Sequence, residues 1–135
     1  MARTGKMVVL ALAVIATLLT AGCGRQEVKR VGMVVGIKPE MIAEYKALHT
    51  DSNAGVRDLL TKYNMHNFSI FLQEIDGKWY EFGYYEYKGD DFDADMAKLD
   101  AEPRNTEWLK VCDPMQVPLK GQKSWTVMEQ VYYNK

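Results

Sequence analysis

The sequence predicts an α+β domain in which one four-stranded antiparallel sheet carries its helices on one face. Three observations lead there. Strand-like and helix-like runs follow one another in the order β-α-β-β-α-β. An Asp-Gly dipeptide, the preferred two-residue hairpin turn, joins the two middle strands. The apolar residues repeat at period two in the strands and at steps of three and four between them. Composition agrees: 135 residues, 47% hydrophobic and 26% charged, make an ordinary globular chain with one core. A formal net charge of −1 leaves no basic excess to neutralise a phosphate backbone, which argues against nucleic acid as a partner. Two cysteines and two histidines are too few for a Cys-rich zinc module.

The chain divides into a signal (1–22), a polar tether (23–29) and a domain (30–135). Arg3 and Lys6 precede Met7 to Thr20, an uncharged run of fourteen, too short for a comfortable membrane span and suited to an export signal. Leu19-Thr20-Ala21-Gly22-Cys23 resembles the lipobox of bacterial lipoproteins, with Thr20 where leucine is usual. The resemblance implies cleavage before Cys23 and lipidation of its thiol. The protein would then be held to a membrane of the cell envelope, on the periplasmic or extracellular side. Cys112 then has no cysteine partner and reads as packing at an apolar helix end.

The elements follow in order. Val28 to Ile37 is β-rich, and Pro39 opens a helical pattern. Met41, Tyr45, Leu48, Ser52, Val56, Leu59 and Tyr63 form one stripe, with a kink or break expected in the poor helix formers 50–55. Met65 to Ile75 is the second strand, Asp76-Gly77 the turn, and Lys78 to Tyr87 the third strand. Phe92, Met96 and Leu99 mark a short helix, ended by Glu102-Pro103. Another helix runs through Thr106, Trp108 and Val111. Pro114 and Pro118 frame a loop, and Ser124 to Tyr133 is the last strand. This is the ferredoxin-like arrangement.

Helices cover one face of such a sheet, yet both faces of 78–87 and 125–133 carry large side chains. The second face is therefore expected to line a pocket, a dimer interface, or both. Tyrosines and tryptophans mixed with Glu and Gln also suit sugars, where apolar rings meet hydroxyls.

No Gly-rich phosphate loop, Ser-His-Asp order, HExxH or CxxC is present. Two histidines remain for acid–base work. His49 lies four residues after Tyr45, so a helix projects both from one side, and an imidazole beside a phenol can exchange and relay protons. The plainer reading is an exposed histidine beside a core tyrosine. His66 starts a strand, where a structural donor is the ordinary role, and alternation groups it with Phe68, Ile70 and Leu72. Trp108 would by default be core. Asp90, Asp91, Asp93 and Asp95 lack cation-loop spacing and read as a solvated helix start, so no metal is expected.

Glu44-Tyr45-Lys46-Ala47-Leu48-His49, followed by His66-Asn67-Phe68-Ser69-Ile70-Phe71-Leu72, resembles the E-Y-x-x-x-H helix and H-N-Y-x-I-x-L strand of the L-rhamnose mutarotase family. The likeness resumes at Trp108-Leu109-Lys110 and Glu129-Gln130-Val131-Tyr132-Tyr133, and is thin between 76 and 107. It implies a ferredoxin-like domain paired into a homodimer, a dimeric α/β-barrel. It also implies a proton donor at His49, a sugar contact at Tyr45 and substrate contact at Trp108. His66 and Asn67 would hold hydroxyls or brace the strand. The reaction implied is interconversion of the α and β anomers of L-rhamnose or a related monosaccharide, which needs no metal or redox cofactor. Phe68 replaces a substrate-contacting tyrosine and Leu109 a second tryptophan, so the preferred sugar is expected to differ. The rival reading is a non-catalytic anchored lipoprotein that binds sugars or a protein; a cofactor-independent oxygenase on the same fold is a third.

Overall fold

The computed structural model describes residues 27–135. The segment expected to be an export signal, 1–22, and Cys23 lie outside the described residues. Strand β1 (Lys29–Ile37) leads into a 3-10 turn (Pro39–Met41) and helix α1 (Ile42–Leu48). The expected break is real: α1 stops, and α2 (Arg57–Lys62) resumes beyond residues 50–55. Gly55 sits in that break at φ 52°, where a side chain would be strained.

Strands β2 (Met65–Ile75) and β3 (Lys78–Tyr87) form the predicted hairpin. Asp76 and Gly77 have φ of 50° and 74°, the paired positive values that match strand twist. Helix α3 (Phe92–Asp100) is capped by Asp91, whose carboxylate accepts from the Ala94 N–H at 3.1 Å. Helix α4 (Pro103–Cys112) follows, with proline in its first turn. Asp95 accepts hydrogen bonds from the Asn64 amide and the Tyr87 hydroxyl, each at 2.8 Å, so this acidic stretch ties α3 to the sheet.

The sheet order is β2-β3-β1, with every neighbour antiparallel, and two short strands share the fourth position. Strand β4 (Gln116–Val117) pairs with Gly36 and Ile37, while β5 (Thr126–Met128) pairs with Gly32 to Val34. The chain is ferredoxin-like, but its last strand is shorter than predicted. Pairing ends at Met128 rather than Tyr133. Beyond it the Arg30 guanidinium lies 3.6 Å above the Tyr133 ring, so a cation–ring contact holds the chain where ladder bonds were expected.

A second correction concerns β2. The register shifts between His66 and Ser69, with Asn67 at φ 53°. His66 is paired with Glu86, while Ile70 and Leu72 are paired with Gly83 and Glu81. Cross-strand partners share a face. The bulge therefore separates His66 from Ile70 and Leu72, which straight alternation had grouped with it.

The odd-numbered residues of β1 and β3 meet the helices. Val31, Tyr85 and Tyr87 pack with Val56, Leu59, Met65 and Leu99. A second cluster joins Ile37, Tyr45, Cys112 and Met115, and Trp108 touches both clusters. Tyr80, Phe82 and Tyr84 occupy the opposite face with Phe71, which is 64% exposed. No helix among the described residues is long and apolar enough to cross a membrane.

Candidate active site

Between the helices and the β2 side of the sheet lies a cavity of about 970 Å³, at the upper end of ligand-pocket sizes. Tyr45, His49, His66, Asn67 and Trp108 all border it. Most of this lining comes from the helices and the covered side of the sheet, with Phe71 and His66 from the register positions of Phe82 and Glu86.

His49 closes α1 as its C-terminal cap. Its Nδ1 is 2.8 Å from the Tyr45 carbonyl, one turn back, so Nδ1 carries the hydrogen and Nε2 the free lone pair. The imidazole stacks on the Tyr45 ring, with centroids 4.1 Å apart and planes at 26°. Trp108 meets it edge-on at 5.2 Å. Burial lowers the His49 pKa below its usual value, partly opposed by the Tyr45 carbonyl, and the Arg57 charge lowers it further. The ring is therefore neutral at pH 7. Arg57 also donates to the His49 carbonyl at 2.9 Å, tying α2 to the end of α1.

Trp108 reaches this position because Gly55 makes room. A Cβ at Gly55 would lie 3.2 Å from the indole Cη2. Gly83 has the same office on the sheet: a Cβ there would lie 2.8 Å from Met33 Cε and 3.2 Å from Trp125 Cζ3. Trp125, just ahead of β5, borders the cavity as well. Phe68 packs on Tyr85 with centroids 5.7 Å apart, and Leu109 is a partly exposed wall. Cys112 is buried, and burial pushes its thiol up to about 11, which fits packing rather than nucleophilic chemistry.

Of the two roles expected for His66 and Asn67, holding hydroxyls or bracing the strand, the structure shows Asn67 in a bracing contact. The Asn67 amide donates to Glu86 at 3.0 Å, and Glu86 also pairs with Lys88 at 3.1 Å. That hydrogen bond braces the bulge. His66 borders the cavity from the register position of Glu86.

Tyr45 is only 4% exposed, with its hydroxyl turned toward Glu81 and Gln116. Glu81 is fully buried, and Gln116 Nε2 donates to its Oε2 at 2.8 Å. Burial pushes the Glu81 carboxyl up to about 7, against the opposing pull of hydrogen bonding. Burial and this neighbour together hold the Tyr45 phenol far above its ordinary value, so it keeps its proton. Sequence reasoning passed over Glu81, Gln116 and Trp125. For Glu81 a signal was present: a single carboxylate on the Trp79, Tyr85 and Tyr87 face of β3.

Comparison with known proteins gives three results. The family model described as L-rhamnose mutarotase matches residues 30–134. No curated protein matches the chain. Among solved structures, one titled "Crystal structure of antibiotic biosynthesis monooxygenase" is 20% identical with a TM-score of 0.46, over 78% of this chain and 100% of that one.

Proposed function

The chain belongs to the L-rhamnose mutarotase family, and from that premise we propose that it interconverts the anomers of a neutral monosaccharide, with His49 as the acid–base group. The observation that carries this reading is a neutral imidazole with Nδ1 tied down, bordering a cavity of ligand size.

In this mechanism Nε2 takes the proton of the anomeric hydroxyl and delivers it to the ring oxygen. As the ring oxygen gains hydrogen, the bond from it to the anomeric carbon breaks and the carbonyl forms. Rotation about the carbon–carbon bond beside the aldehyde and return of the proton close the ring on the other face. Holding Nδ1–H on a carbonyl keeps the tautomer fixed and favours the imidazolium formed in between. Tyr45 supports the imidazole from beneath, and Trp108 offers an apolar wall to a sugar face. Phe68 and Leu109 contribute no hydroxyl or indole, which favours a sugar other than rhamnose or a looser preference.

The same proposal includes two assembly features. The exposed Phe71, with the half-buried Tyr80, Phe82 and Tyr84 on the same face, would be covered by a second copy, since exposed apolar surface marks interfaces. The N-terminal segment would be cut and lipidated at Cys23, which intact-mass measurement of membrane-extracted protein would reveal.

Two-dimensional NMR exchange across neutral monosaccharides tests the activity. His49→Ala should slow exchange of the active sugar by about 10²–10⁴-fold, the usual contribution of a positioned acid–base group. Undiminished exchange in that variant would remove His49 from the mechanism. Binding without exchange in the wild type would establish a sugar-binding protein instead.

A further inference from the structure

Glu81 stands in the middle of β3, 0% exposed, beside Val35 of β1 and Leu72 of β2 in register. A carboxyl in such a place is costly unless it is hydrogen-bonded or paired with a cation. The polar groups near enough to interact with it are the Tyr45 hydroxyl from α1, the Cys112 thiol from α4 and the Gln116 amide from β4, none of them a cation. Gln116 occupies Oε2. Oε1 has no hydrogen-bond partner of normal geometry, although the Tyr45 hydroxyl is near enough to interact with the carboxyl.

We propose that Glu81 is a positioning residue whose own protonation decides whether the Tyr45 hydroxyl is held by Glu81 or released to donate into the cavity. The idea rests on the mutarotase reading only for its catalytic consequence. Because Oε2 already accepts from Gln116, a proton taken up from solvent sits on Oε1. Glu81 is then the donor, the Tyr45 oxygen accepts, and the phenolic hydrogen is free for a ligand oxygen. When the carboxyl returns its proton to solvent, Oε1 becomes an acceptor and the Tyr45 hydroxyl turns to it. The phenol then offers a ligand only a lone pair. The carboxyl's elevated range, about 7, puts this exchange at neutral pH, while Tyr45 itself stays protonated throughout. His49, stacked on the Tyr45 ring, has its own pKa lowered by burial.

Glu81→Gln freezes the first arrangement. Its side-chain oxygen serves Gln116, and its amide hydrogens face Tyr45. Two readouts test the proposal on the full chain. In ligand-free protein carrying ¹³C at the glutamate carboxyl and tyrosine Cζ positions, the Tyr45 signal should move with the Glu81 midpoint and stand still in E81Q. With an exchanging sugar, wild-type KM should rise roughly tenfold from the acid to the alkaline side of neutrality, the scale of one hydrogen bond. E81Q should keep the acid-side KM throughout, with the His49 limb intact. Tyr45→Phe supplies the second variant should E81Q fail to fold: it should abolish the KM dependence and raise the Glu81 midpoint. A stationary Tyr45 signal while Glu81 titrates, or an E81Q protein with the wild-type KM dependence, overturns the proposal. Lack of exchange with every sugar would defeat the mutarotase reading alone and leave the ¹³C result to decide the coupling.

Discussion

The surroundings of His49 suit the proton transfer proposed for it. The Tyr45 carbonyl fixes one nitrogen, and burial with the Arg57 charge keeps the ring neutral. Its lowered pKa predicts a rate that climbs as His49 loses its proton, with a midpoint below the ordinary imidazole value and a plateau by neutral pH. A pH profile of kcat/KM in E81Q, which reports the free protein without the Glu81 step, would show it, and a midpoint above that value would contradict the burial argument. Spacing alone was enough to put Tyr45 and His49 together, because four residues is one helical turn. The Glu81–Gln116 pair was not legible in the same way. Its members are thirty-five positions apart and meet only because β1 brings β3 and β4 to its two sides.

Among the elements, the break between α1 and α2 shapes the cavity. Residues 50–55 end one helix, and Gly55 leaves space for the Trp108 indole. Gly55→Ala adds both a strained φ and a close methyl. It should cost about 1–2 kcal/mol in urea unfolding and displace Trp108, visible as altered indole fluorescence. Unchanged stability would mean that the α1–α2 connection relaxes freely. Helix starts, the split after Asp100 and the Asp76-Gly77 turn were all readable, since each depends on residues next to one another. The bulge at Asn67 and the short β5 were not. Both depend on distant partners: Glu86 for the Asn67 side chain, and Arg30 for the Tyr133 ring.

For the molecule as a whole, two expectations concern its stability and its pairing. Glu81 ionises at 4.5 when exposed and near 7 when buried. The unfolded chain therefore sheds this proton first, so the carboxyl costs wild-type stability as pH rises between those values and no further above them. Relative to wild type, E81Q should gain up to about 3 kcal/mol across that window, measurable by urea unfolding at a series of pH values. A flat difference would contradict the burial of the carboxyl. Under the proposed pairing the wild type should sediment as a dimer and Phe71→Glu, on the uncovered face, as a monomer with unchanged helical circular dichroism; identical sedimentation profiles would exclude that face as the pairing surface. One further result follows from the division of the fourth sheet position between β4 and β5. Trp125 comes just before β5, whose partners in β1 lie more than ninety positions earlier in the chain. Ribosomal synthesis therefore supplies this wall of the candidate cavity last, so a nascent chain stalled within 118–125 would carry the imidazole of His49 while the Trp125 side is still missing.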